Sequence, residues 1–172
     1  MSNKIERNLL TMFGVGYILY APGTIASFVT CLMFYLLWMF FGIDNFILPV
    51  IFFLILLFVY SIFLINKIYP GLDSKEIVID ELVGQSIPLL SWHYVNISSQ
   101  AWQKTLNTPF ENREIEIWII LSFILFRFFD ILKPFPIRFI DEKIKNGFGV
   151  MIDDVIAGIF TTISLYFIFL WI

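Results

Sequence analysis

Residues 126–158 read FRFFDILKPFPIRFIDEKIKNGFGVMIDDVIAG, and the rest of the chain is organised around them. Charged residues crowd here among apolar ones, in a sequence whose other apolar runs carry almost no charge. Arg127 and Asp130 close one apolar run. Lys133, the Pro134-Phe135-Pro136 turn and Arg138 follow. Gly147, Gly149 and the pair Asp153-Asp154 lead into the next apolar run. A shorter stretch, 76–84 (EIVIDELVG), has the same character.

Outward from this centre the chain is oily. Of its 172 residues 59% are hydrophobic and 15% are charged, against about 45–50% and about 25% in soluble domains. The excess lies in long uncharged runs, so an all-α polytopic membrane bundle is expected, as one domain over 1–172. The runs at 25–41, 46–66, 115–131 and 155–172 read as spans. Residues 8–20 are short for a span and read as an apolar interfacial N-terminal helix, broken by Pro22-Gly23-Thr24. No removable signal segment is read at the start. Cys31 stands alone inside an apolar run, which excludes an intrachain disulfide.

Residues 82–92 are the difficult piece, because Gly84, Gln85 and Pro88 interrupt an apolar run that is itself short. The distribution of basic residues decides their reading. If 82–92 crosses, then Lys4, Arg7, Lys67, Lys75, Arg127, Lys133, Arg138, Lys143 and Lys145 share one side, and Lys104 and Arg113 remain on the other. About five membrane segments follow, with the N-terminus in and the C-terminus out. Thr24, Ser27, Asp80, Glu81, Arg127, Asp130, Asp153 and Asp154 then lie at one depth on the cytoplasmic face.

That convergence is the bottom-up argument for a site. Asp80, Glu81, Asp130, Asp153 and Asp154 supply hard oxygen ligands that suit Mg²⁺. Helix capping is the competing account of the two acidic pairs, since a first-turn carboxylate favours the helix dipole. Capping does not reach Asp130, which falls at the C-terminal end of its run. Arg127 shares a helix face with Asp130 and is either its ion-pair partner or a grip on phosphate. Lys133 and Arg138 are further candidates for binding phosphate, while Arg138, Lys143 and Lys145 also suit the surface of an anionic membrane. Thr24 and Ser27 are candidate donors to a substrate, and Thr24 a candidate cap. Gly147 and Gly149 read either as a close approach to a ligand or as a plain turn.

Several chemistries are excluded. His93 is the sole histidine, so a phosphohistidine enzyme with a second histidine is ruled out. Cys31 has no arginine loop after it, and no Asp-x-Asp motif occurs. A phosphatase built on these residues would use water activated by metal, or an aspartate, as nucleophile. A small transporter or cation pathway is the alternative class, because intramembrane carboxylates also mark ion routes.

Pro22-Gly23-Thr24-x-x-Ser27, the block 77–84 around Asp80-Glu81, Phe126-Arg127-x-x-Asp130-x-x-Lys133-Pro134-x-Pro136-Ile137-Arg138, and Gly147-x-Gly149-x-Met151-x-Asp153-Asp154-x-x-Ala157-Gly158 together resemble the phosphatidylglycerophosphatase A family. Ser74 departs from the expected turn residue, and 93–114 carries no readable signature. The resemblance, to the membrane branch of the family, implies a Mg²⁺-dependent lipid phosphatase of the bacterial inner membrane. Phosphatidylglycerophosphate would be converted to phosphatidylglycerol and phosphate. The implied partners are an anionic phospholipid and the membrane, with no nucleic acid and no oligomeric state specified. The topology is testable by labelling Lys145→Cys in a Cys31→Ala background. Modification from the cytoplasmic side is expected, and modification from the periplasmic side would reject the five-segment arrangement.

Overall fold

The computed structural model describes residues 2–71, 74–106 and 114–171. Every regular element among them is helical. In chain order they are α1 (Ser2–Leu10), α2 (Pro22–Phe41), α3 (Ile43–Ile68), α4 (Ile79–Leu106), α5 (Glu114–Leu132), α6 (Ile137–Lys143) and α7 (Gly147–Trp171), with a 3-10 turn at Val15–Tyr17. The five long helices contain the five apolar stretches. Three of them hold windows, in Pro22–Phe41, Ile47–Ile68 and Gly147–Phe169, that are long and apolar enough to cross a membrane. Only 28% to 33% of each such window is buried within the protein. Side chains such as Phe28, Phe52, Phe53 and Phe63 point outward instead, as a lipid-facing surface requires.

α7 is the central element, packing against α3, α4, α5 and α6. Its approach to α4 is closest where both helices lack side chains. A Cβ on Gly84 would lie 2.6 Å from the Asp154 carbonyl oxygen, and a Cβ on Gly158 would collide with the carbonyl oxygen of Gly84. That carbonyl has no amide partner one turn ahead, because Pro88 has no N–H. Small residues at both positions let the two backbones meet, which is how helices pack when lipid supplies no hydrophobic drive between them.

Polar bonds tie the bundle at both ends and in the middle. Gln85 Nε2 donates to Ser122 Oγ at 2.8 Å, joining α4 to α5. Trp118 Nε1 donates to the Pro88 carbonyl at 2.8 Å. Trp118 also sits between Trp92 and Phe169, with ring centroids 5.4 and 5.0 Å away. At the other end the Gly147 amide donates to Asn66 Oδ1 of α3 at 2.7 Å.

Several boundaries differ from the sequence-based expectation. Residues 8–20 do not form one helix. α1 ends at Leu10, and Met12, Phe13 and Gly14 all take positive φ before the 3-10 turn. α2 starts on Pro22 with Ala21 in the left-handed region, so Thr24 sits inside the first turn and Pro22 starts the helix. α7 begins eight residues before the expected span. Its cap is Asn146, whose Oδ1 accepts from the amides of Phe148 and Gly149 at 3.0 Å each. Asp153 and Asp154 are therefore in the helix body, and capping does not explain them. Gly147 and Gly149 face Ile62 and Ile144 backbone rather than a ligand. Arg113 lies outside the described residues, as does the side chain of Lys104.

The α4–α7 contact predicts the effect of adding one methyl group. Gly84→Ala should cost about 1–3 kcal/mol by overpacking, seen as a lower thermal midpoint in detergent. An unchanged midpoint would show that the helices are not in contact there.

Candidate active site

Seven segments meet in one cavity of about 360 Å³ at the end of the bundle where α4 begins and α5 ends. That size falls at the lower end of the range for small-ligand sites, about 300–1,000 Å³. The start of α2 contributes Ala21, Pro22, Gly23 and Thr24. The loop before α4 contributes Ser74 and Lys75, and α4 contributes Asp80 and Glu81. Arg127 and Asp130 come from the last turns of α5, Lys133 from the turn after it, Asp141 from α6, and Asp153 and Asp154 from α7.

The carboxylates sort into two kinds. Asp80, Glu81 and Asp154 each offer an oxygen within 4.8 Å of the others. Glu81 Oε2 and Asp154 Oδ2 are buried and have no hydrogen-bond partner in the protein. Like-charged oxygens held together without donors need a counter-charge, and hard oxygen donors suit a Mg²⁺-type cation. These three residues fit such an ion. The other carboxylates already have cations. Lys133 Nζ donates to Asp153 Oδ2 at 2.8 Å and lies 3.2 Å from Asp141 Oδ1. Arg127 Nη1 lies 2.8 Å from Asp130 Oδ2 and 3.9 Å from Glu81 Oε1.

Arg127 is not saturated by these contacts. Its Nε and Nη1 are buried and have no aligned hydrogen-bond acceptor, so the approach to Asp130 is an ion pair without hydrogen-bond geometry. A buried guanidinium with free donors is a prepared place for an anion with several oxygens. Burial pulls the Lys133 pKa down, but its bonds to Asp153 and Asp141 outweigh this and raise it, so the ammonium stays charged.

Local sequence explains the placement. A Cβ on Gly23 would collide with Glu81 Oε1 and lie 3.3 Å from Arg127 Nη1, so only glycine lets α2 approach this pair. Lys133 takes φ 44, and its amide donates to the Phe129 carbonyl at 2.9 Å, closing α5. The loop before α4 is pinned by Tyr69, whose hydroxyl donates to Glu76 Oε2 at 3.1 Å, and by Val78, whose amide donates to the Leu10 carbonyl at 3.0 Å.

Of the residues expected from sequence, Thr24, Asp80, Glu81, Arg127, Asp130, Lys133, Asp153 and Asp154 line the cavity. Two do not. Ser27 is fully buried and donates its hydroxyl to the Gly23 carbonyl at 3.0 Å, a bond that satisfies it within α2. Arg138 has a side chain 75% exposed and pairs with Glu142 one turn on, at 2.8 Å. His93, thirteen residues beyond Asp80 on α4, is about 20 Å away along the axis. Sequence reasoning missed Asp141 and Lys75. Asp141 is four residues after the fully buried Ile137 and so shares its inward face, a spacing that could have found it. Lys75 carried no such signal.

Residues 8–169 match the phosphatidylglycerophosphatase A family. The chain belongs to that family. Phosphatidylglycerophosphatase A of Haemophilus influenzae is 40% identical over 162 residues, covering 92% of this chain and 85% of that one. The protein of the same name from Escherichia coli K12 is 34% identical over 96 residues, 56% of this chain and 45% of that one. A Bacteroides thetaiotaomicron protein with the provisional name phosphatidylinositol-3-phosphatase is 31% identical over 157 residues, 90% of this chain and 87% of that one. No solved structure matches the chain. Membership places it among phosphatases, and the cavity has the charges that such chemistry uses.

The two arginines should behave differently. Arg127→Gln should slow phosphate release at least a hundredfold, the loss of about 3 kcal/mol of transition-state stabilisation. Arg138→Gln should stay within about twofold, because an exposed pair contributes little. Equal losses in both variants would contradict the geometry.

Proposed function

We propose that this chain removes the terminal phosphate of phosphatidylglycerophosphate, releasing phosphatidylglycerol and phosphate at the cytoplasmic face of the bacterial inner membrane. The observation that carries the proposal is the buried Arg127 with unused donors beside three converging carboxylates, two of which have unpartnered oxygens. Family membership supports the reaction type. The apolar windows of α2, α3 and α7 support a membrane setting, and in this reading α4 and α5 cross as well.

Asp80, Glu81 and Asp154 hold Mg²⁺ in this reading. When bound, Mg²⁺ supplies a Lewis acid that withdraws charge from phosphoryl oxygens. Arg127 binds the phosphate oxygens and stays charged as negative charge builds on them. Asp130 aims the guanidinium. Lys133, held between Asp153 and Asp141, adds a fixed positive charge to the cavity wall. Thr24 offers a hydroxyl at the mouth formed by α2. Water adds to phosphorus as the ester oxygen departs, and the alcohol takes a proton.

The arrangement does not favour a transporter. Among the described residues, the buried charged side chains are Asp153 and Asp154, both in the cavity layer. The other buried polar groups, Gln85, Ser86, Ser122, Ser61, Thr30 and Thr161 among them, are neutral. A cation route would need ionisable groups along its length.

The test compares phosphate release by the purified protein from phosphatidylglycerophosphate, phosphatidylinositol 3-phosphate and glycerol 3-phosphate, with Mg²⁺ and with chelator. The first lipid should be cleaved fastest, and chelator should stop the reaction. Preference for either other compound rejects the substrate, and indifference to chelator rejects the metal. Asp80→Asn and Asp154→Asn should each cost roughly a thousandfold in turnover, about 4 kcal/mol. They should also abolish the rise in thermal midpoint that Mg²⁺ gives the unaltered protein. Asparagine caps a helix about as well as aspartate, so a capping role at Asp80 would leave both measurements unchanged.

A further inference from the structure

We infer that Lys75 reads a second phosphate on the substrate, so that the cavity distinguishes a lipid with two phosphates from one with a single phosphate. The inference rests on the substrate class proposed above and names the residue that recognises its inner half.

The cations around the cavity are not equivalent. Arg127 lies against Asp130 and Glu81, and Lys133 lies between Asp153 and Asp141. Lys75 is the third cation lining the same cavity, and it is exposed, with no ion pair among the described residues. Being exposed, it belongs to the mouth. The deep end is where Asp154 and the Arg127 donors are buried.

The backbone that carries Lys75 is held in place. The Ile77 amide donates to the Ser74 carbonyl at 2.9 Å, closing a turn around it. Glu76, its neighbour, accepts from Tyr69, and the Glu76 carbonyl is in close contact with Gly16. Val78 bonds to Leu10. A flexible, charged side chain thus stands on a pinned turn at the rim, while the other two cations of the cavity wall each lie against carboxylates.

Charge complementarity supplies the ligand. The terminal phosphomonoester of phosphatidylglycerophosphate belongs at the deep end, where the unpaired carboxylate oxygens and the guanidinium are. The inner phosphodiester, joined to the lipid backbone by one glycerol less, then falls towards the mouth. It carries one negative charge in a cavity lined by six carboxylates, and it needs a cation that no carboxylate has claimed. Among the described residues Lys75 is that cation. Exposed lysines also attract anionic membranes in general, as Lys143 and Lys145 would. That effect acts on the surface as a whole and does not depend on the inner phosphate of the bound molecule.

A substrate-by-protein cycle separates the two effects. Phosphatidylglycerophosphate is compared with its methyl phosphotriester analogue, whose inner phosphate is neutral, in uncharged detergent micelles. With unaltered protein the analogue should be cleaved about tenfold less efficiently, as expected for losing one charged hydrogen bond. In Lys75→Gln the two compounds should be cleaved with equal efficiency, and Lys75→Arg should restore the preference. A preference that persists undiminished in Lys75→Gln overturns the assignment and leaves the substrate reading intact. Absence of turnover with both compounds in the unaltered protein overturns the substrate reading, and the assignment falls with it.

Discussion

The contact on which the rest depends is the meeting of α4 and α7 backbones at Gly84 and Gly158. Two helices packed through larger side chains stand about 8–10 Å apart. Here the Gly158 backbone rests on the Gly84 carbonyl, and the space beside Gly84 is filled by Asp154 itself. This approach carries Asp80 and Glu81, one turn before Gly84, to Asp154, one turn before Gly158. The carboxylates are brought together by glycine positions that take no part in chemistry. The same positions explain why a sequence rich in large aromatics has its small residues in step on two helices.

Repulsion within the cluster opposes this packing, and the surrounding bonds counter it. Asn66 fixes the start of α7, Gln85 and Ser122 couple α4 to α5, and Lys133 joins the α5 exit to both α6 and α7. Each bond crosses between elements that contribute site residues or that set their depth. α3 contributes none, yet through Asn66 it sets the axial position of Asp153 and Asp154. The described carboxylates of the site therefore depend on helices that a motif search would leave out.

The long helices were legible in the sequence because an uncharged run in a membrane has few alternatives to helix. α4 was legible only through the distribution of lysine and arginine, since Gln85 and Pro88 obscure its apolar character. The start of α7 was not legible. Residues 147–152 contain two glycines and read as a loop, whereas in the structure they pack a helix against Ile62 and Ile144. The carboxylates and Arg127 were recognisable by charge against an apolar background. Ser27 and Arg138 carry the same polar signal yet do not line the cavity, because sequence shows neither the carbonyl that Ser27 satisfies nor the outward face that Arg138 occupies. Asp141 was hidden in the run 141–143 (DEK), where its neighbours are exposed and only its register with Ile137 sets it apart.

Asp154 Oδ2 and Glu81 Oε2 have no donor from the protein, and both sit where the last helix docks on the fourth. Docking α7 is therefore the event that brings these charges together, and it proceeds against their repulsion unless protons or cations come with them. The cation proposed for the site would then bear on assembly as well. In an ion-poor setting that repulsion would fall on the bonds that hold α7 in place, those of Asn66 to Gly147 and Lys133 to Asp153 and the packing of Trp118 on Phe169.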